Sequence, residues 1–140
     1  MTWPSLRDRT FIGIHPMSTK AVAFLATAKA AECRQFYSAV LGLTFVEETE
    51  FAVVFDAFGT LLRVQKVGNV VVAPYTAFGL EVDDIIAFVD ALAEKGVQGE
   101  RYAHFEQDGR AIWTAPSGAR VFWFRDPDGH LVSLSQLGRV

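Results

Sequence analysis

With one cysteine in 140 residues, Cys33, the chain cannot form an intramolecular disulfide or a cysteine-based zinc cluster. A lone thiol suits a reducing compartment, and the cytoplasm is the expected location. No apolar run approaches the roughly 20 residues that a membrane-spanning helix needs. Phe11-Ile12-Gly13-Ile14, the apolar centre of the first segment, is also too short for the core of a signal peptide, so a soluble protein is expected. Charge of either sign is scarce and interspersed. Thirteen Lys and Arg against sixteen Asp and Glu give a formal charge of -3, with no basic stripe for a nucleic-acid backbone and no acidic tail. No Ser-His-Asp order, phosphate loop, dinucleotide fingerprint or Cys-His pairing is present. What remains is the length of one ordinary domain, with 51% hydrophobic residues for its core.

Residues 1–16, punctuated by Pro4 and Pro16, read as an N-terminal extension outside a single domain covering 17–140. Lys20 to Ala28 is expected to form a mostly buried strand. The stripe of Cys33, Phe36, Tyr37, Val40 and Leu41 then predicts a helix, with Gly42 in the left-handed position that closes a helix C-terminus and Leu43 closing the cap hydrophobically. Three strands follow, near Thr44 to Glu48, Phe51 to Asp56 and Thr60 to Val67. After Pro74 the order repeats. Tyr75 to Val82 reads as a strand, Asp83 or Asp84 caps a helix whose stripe is Ile85, Phe88, Val89 and Leu92, and Gly96 takes the place of Gly42. Lys95, in the last turn, suits that helix's dipole. Strands are expected near Val97 to Tyr102, Arg110 to Ala115, Ala119 to Arg125 and His130 to Gln136. Two tandem βαβββ modules result, at about 20–67 and 75–136. The second is longer, with its excess in the loops Ala103 to Arg110 and Pro116 to Gly118.

The last hairpin, Arg120 to Gln136, turns at Asp126-Pro127-Asp128-Gly129, where proline presets φ, the aspartates bond nearby amides and glycine tolerates positive φ. This hairpin, the helix motif FYSAVLGL (36–43) and the strand-to-helix junction LEVDDI (80–85) together resemble the vicinal-oxygen-chelate superfamily of glyoxalase I, extradiol dioxygenases and bleomycin-resistance proteins. The resemblance implies an α+β fold in which two βαβββ modules form a curved mixed sheet around a cavity, usually in a homodimer. In the superfamily's metal enzymes, His and Glu side chains on the first and last strands of the modules hold a divalent ion. The matching positions here are Val22, Arg63, Ala77 and Ser133. One neutral hydroxyl, two alkyl groups and a cation make no site for such an ion, so no metal cofactor is expected.

Several residues are candidates for a small-molecule site. Strand alternation puts Leu62 and Val64 toward the helices and Leu61, Arg63 and Gln65 toward the cavity. There Arg63 could grip a carboxylate with two hydrogen bonds, or it could serve a structural ion pair with Glu48, Glu50 or Glu81. Trp123 is expected on the cavity wall because Phe122 and Phe124 would then face the helices. Trp113, Phe24 and Ser133 are further ligand-binding candidates, with Phe78, Tyr75 and Tyr102 as aromatic company. In the long loop, His104, Glu106 and Asp108 alternate, with Gln107 and Arg110 beside them, and Glu106 is retained as a ligand-binding candidate. His130, directly after the turn, is expected to point to solvent. Asp126, Asp128 and Gly129 are assigned to the turn, and Cys33 to the core.

The expected function is metal-independent binding of a small organic molecule, an anion if Arg63 takes part, either to sequester it or to transform it. The alternative is a divalent-metal-dependent lyase, isomerase or dioxygenase with displaced ligands from His104 to Asp108. A third reading is an interaction module whose cavity is filled by its own side chains. Neither nucleic acid nor a membrane is an expected partner.

Overall fold

The computed structural model describes residues 19–138, and the expected extension at 1–16 lies outside them. The first module runs β1 (Val22–Thr27), α1 (Ala30–Gln35), β2 (Thr44–Glu48), β3 (Ala52–Ala57) and β4 (Thr60–Lys66). The second runs β5 (Thr76–Glu81), α2 (Ile85–Glu94), β6 (Trp113–Thr114), β7 (Arg120–Arg125) and β8 (Leu131–Gln136). The sheets have the same order, β1-β4-β3-β2 and β5-β8-β7-β6, each with one parallel pair between its first and last strands. The duplicated α+β pattern read from the sequence is therefore the fold. Among the described residues no helix is long and apolar enough to cross a membrane.

Both sheets bury one face against the same core. Leu62 and Val64 on β4, Phe122 and Phe124 on β7, and Val132 and Leu134 on β8 join Tyr37 of the first helical segment and Ile85, Val89 and Leu92 of α2 in one cluster. Alternate residues of those strands form an open face on the other side. The edge strands β1 and β5 meet, so the open faces of the two sheets adjoin.

Of the expected stripe, the first helical segment buries Cys33, Phe36, Tyr37 and Leu41 and leaves Val40 half-buried. It widens into a π turn over Phe36–Val40, closed by the Leu41 N–H bonding to Phe36 O. Gly42 then takes φ +85°, and the Leu43 N–H reaches back to Tyr37 O. Burial raises the Cys33 thiol to about 12, with Asp126 adding to the rise. About a thousandfold less thiolate than at its ordinary value of 9.0 should be present near neutral pH. Native protein at pH 8 is accordingly expected to resist Ellman's reagent, while protein unfolded in guanidinium reacts at once; prompt native labelling would show that the thiol is open.

Four expectations need correction. Val97 to Tyr102 is not a strand: Glu100 N–H bonds to Trp123 O, but the Gln107 side chain satisfies Tyr102 N–H and Glu100 O instead of a neighbouring strand. Gly99 lies under Phe122, where an added Cβ would meet the ring at 2.5 Å. The expected strand at Arg110 to Ala115 shrinks to Trp113–Thr114, because Ala111 takes φ +67° where the Asp108 turn closes. Lys95 serves the other helix, its Nζ bonding to the carbonyls of Ala39 (3.1 Å) and Val40 (3.4 Å). His130 is buried, 5% exposed, and its Nε2 lies 2.7 Å from Ala26 O.

The DPDG turn joins the modules. Asp126 Oδ1 accepts from the N–H groups of Asp128 and His130, and its Oδ2 accepts from the Tyr37 hydroxyl at 2.7 Å. Asp128 accepts from the Thr27 hydroxyl and from Ala28 N–H just ahead of α1. Burial pushes the Asp126 carboxyl above its ordinary range, against the opposing pull of the Tyr37 and His130 hydrogen bonds. It also drives Tyr37 well above the usual phenol value.

Candidate functional site

On the open face of the first sheet, Arg63 lies between Phe24 of β1 and Val54 of β3 in register. Glu47 of β2 continues the row beyond Val54. Arg63 is half-buried and has no hydrogen-bond or ion-pair partner among the described residues. The structural ion pair weighed from the sequence is not formed. Glu48 is engaged by Lys66 at 2.8 Å and by Arg34 at 3.5 Å, and these contacts hold its carboxyl below the usual range. A guanidinium offered this way, with Phe24 56% exposed beside it, presents a planar donor fork next to an apolar ring.

On the second sheet, Ser133 lies between Gly79 and Trp123 in register. Gly79 leaves this part of the face bare, since a Cβ there would stand 2.7 Å from Ser133 Oγ. Trp113 pairs with Val121, one step along from Trp123, and the two indoles stack with centroids 6.0 Å apart. Phe122 and Phe124 are buried on the opposite face, as alternation requires. The sequence did not single out Phe105, which lies 4.5 Å from Trp113 and 5.4 Å from Trp123, parallel to the latter within 4°. Its one signal was a large apolar residue inside the otherwise polar stretch His104 to Arg110. Tyr102 stands edge-on to Trp123 at 5.5 Å, and its hydroxyl is buried without a partner among the described residues.

Gln107, Asp108 and Arg110 have their polar groups engaged within the protein. Gln107 spends its amide on Glu100 O, Ala111 O and Tyr102 N–H. Asp108 accepts from Arg110 N–H and Ile112 N–H, while the Arg110 guanidinium pairs with Asp90 at 2.8 and 3.1 Å. His104 packs on Phe105 at 4.4 Å, and Glu106 is exposed along a groove of about 760 Å³ that runs from His104 to Pro116. Among the described residues no group of three or more His, Cys, Asp or Glu is placed to hold a metal ion, so His104, Glu106 and Asp108 do not gather into one. At the superfamily's usual ligand positions, Val22 and Arg63 lie on adjoining strands, Ser133 faces Gly79, and Ala77 falls in a register shift of β5. These donors do not fit a divalent cation.

Two adjoining open faces, each backed by a helix, with Arg63 on the first sheet and a cluster of rings on the second, define a paired-module α+β fold. Residues 19–134 match the model of the Glyoxalase/Bleomycin resistance protein/Dioxygenase superfamily, and the chain belongs to that superfamily. Solved structures agree at the level of fold. A glyoxalase/bleomycin resistance protein/dioxygenase from Alicyclobacillus acidocaldarius superposes with a TM-score of 0.66 at 15% identity, covering 90% of this chain and 96% of its own. A lactoylglutathione lyase from Agrobacterium tumefaciens gives 0.66 at 17%, covering 87% and 96%. The genomically encoded fosfomycin resistance protein FosX from Listeria monocytogenes gives 0.67 at 13%, covering 88% and 95%. A sequence search of curated proteins finds no match.

Proposed function

We propose that the chain binds a small organic anion on the open face without a divalent metal, with Arg63 as the grip and Phe24, Ser133, Trp123 and Trp113 as the surrounding wall. The observation that carries this reading is Arg63, a half-buried residue whose guanidinium has no protein partner among the described residues. An unpaired guanidinium on an apolar face has its donors free, and a carboxylate or similar planar anion matches its fork. Calorimetric titration in EDTA with a panel of aliphatic and aromatic carboxylates is expected to yield at least one binder. A metal-dependent site would instead bind only after addition of Zn²⁺, Ni²⁺, Mn²⁺ or Fe²⁺, and that result would overturn the proposal.

The partner in assembly is a second copy of the chain. Phe51, Phe58 and Tyr75 are 67%, 71% and 68% exposed, and Phe24, Val22 and Leu61 add apolar surface on and beside the open face. Sedimentation equilibrium should give twice the 15.5 kDa chain mass. A monomer at micromolar concentration would count against this assembly.

A further inference from the structure

The tip of the long loop is built differently from its stem. Gln107 and Asp108 fix the stem through five hydrogen bonds of 2.8–3.0 Å to Glu100, Tyr102, Arg110, Ala111 and Ile112. Among the described residues, Ala103 to Glu106 is tied by one backbone hydrogen bond, Phe105 N–H to Tyr102 O at 3.1 Å, and otherwise by ring contacts. Phe105 lies over the seam between the two indoles, at the edge of the groove of about 760 Å³. The Tyr102 ring stands edge-on to Phe105 at 6.1 Å, and its hydroxyl is buried with no hydrogen-bond partner among the described residues. Such a hydroxyl is destabilising while it stays unpaired, and an unmet donor beside a weakly tethered ring is accounted for if both are used in another state.

We propose that Phe105 is a displaceable plug: a flat aromatic molecule bearing a hydrogen-bond acceptor takes its place over Trp113 and Trp123 and accepts from the Tyr102 hydroxyl. Stacking on the indoles replaces the Phe105 contacts, and the new hydrogen bond supplies the preference over the protein's own ring. Gln107 serves as the fixed hinge, since its side chain bonds to Tyr102, Glu100 and Ala111 on the stem side. The inference shares the open face with the proposed function but does not depend on Arg63.

Quinoline, flat and with one acceptor nitrogen, is the probe, and naphthalene is the same shape without the acceptor. Dissociation constants from NMR titration should fall at least about tenfold in Phe105→Leu and Phe105→Ala, because the fraction of protein with a vacant slot rises. The leucine variant guards against a folding defect. Tyr102→Phe should weaken quinoline about fivefold and leave naphthalene unchanged. The same variant, unliganded, should melt at or above the wild-type temperature, since it removes an unpaired buried hydroxyl. Quinoline affinity unchanged or lower in folded Phe105→Leu would mark Phe105 as ordinary packing and overturn the plug. A lower melting temperature for Tyr102→Phe would also overturn it, by showing that the hydroxyl already has a partner. Arg63→Met should leave the neutral quinoline unaffected. Anion binding without quinoline binding sinks the plug alone, and the reverse sinks only the Arg63 reading.

Discussion

Asp126→Ala is expected to lower stability by about 3 kcal/mol, roughly a 10 °C fall in melting temperature for a chain of this size. The carboxylate accepts from Asp128 N–H at 3.0 Å, His130 N–H at 2.9 Å and the Tyr37 hydroxyl at 2.7 Å, and alanine would leave these donors inside with no acceptor. Part of the loss is recovered because a buried charge disappears, which keeps the estimate below the sum of three unmet donors. Asp126→Asn keeps an acceptor for the two backbone groups and should cost far less. Its pH dependence gives a second check. Burial raises the folded-state carboxyl above its ordinary value of 3.8, so the stabilising effect of protonation is complete below that value and is lost as pH rises through the raised one. Asparagine does not titrate, so the asparagine variant should gain on the wild type across that window in denaturant melts. A gap that widens instead would mean that the hydrogen bonds, not burial, govern this carboxyl.

Arg63→Met should cut binding of a carboxylate ligand about 10- to 100-fold, the worth of charge-assisted hydrogen bonds, while leaving stability unchanged or slightly raised. The two effects separate because no protein carboxylate among the described residues loses a partner when the guanidinium goes. Methionine keeps the unbranched stem beside Phe24 and Val54, so packing along the row is preserved. Arg63→Lys, which retains charge without the planar fork, should fall between the two. Calorimetry with chemical denaturation on the same samples checks this. A large stability loss with binding intact would assign Arg63 to structure.

Elements set by local chemistry were legible in the sequence. Gly42 and Gly96 end their helices at φ +85° and +83°, Asp84 caps α2 through Ala87 N–H, and alternation alone separates Leu62 and Val64 from Arg63. Features set by distant partners were not. His130 was expected in solvent because its local context is a turn, yet its ring reaches Ala26 in the other module. The strand at Val97 to Tyr102 failed because one glutamine side chain outcompeted a neighbouring strand for the same backbone groups. The site divides the same way. Period-two patterning placed Arg63 and Trp123 on the open face, whereas the approach of Phe105 depends on how an irregular loop folds back, for which the sequence has no period.

The bonds from Asp128 to Thr27 and Ala28 also set an order of events in folding. Thr27 waits for the synthesis of 101 further residues before its partner exists. Until Asp128 has been made the start of α1 is without this acceptor, and closing so long a loop carries an entropic cost that contacts between the modules must offset. The strands of the first sheet are all made by Lys66, whereas the bonds that tie Thr27 and Ala28 to the second module can form only once the last hairpin exists.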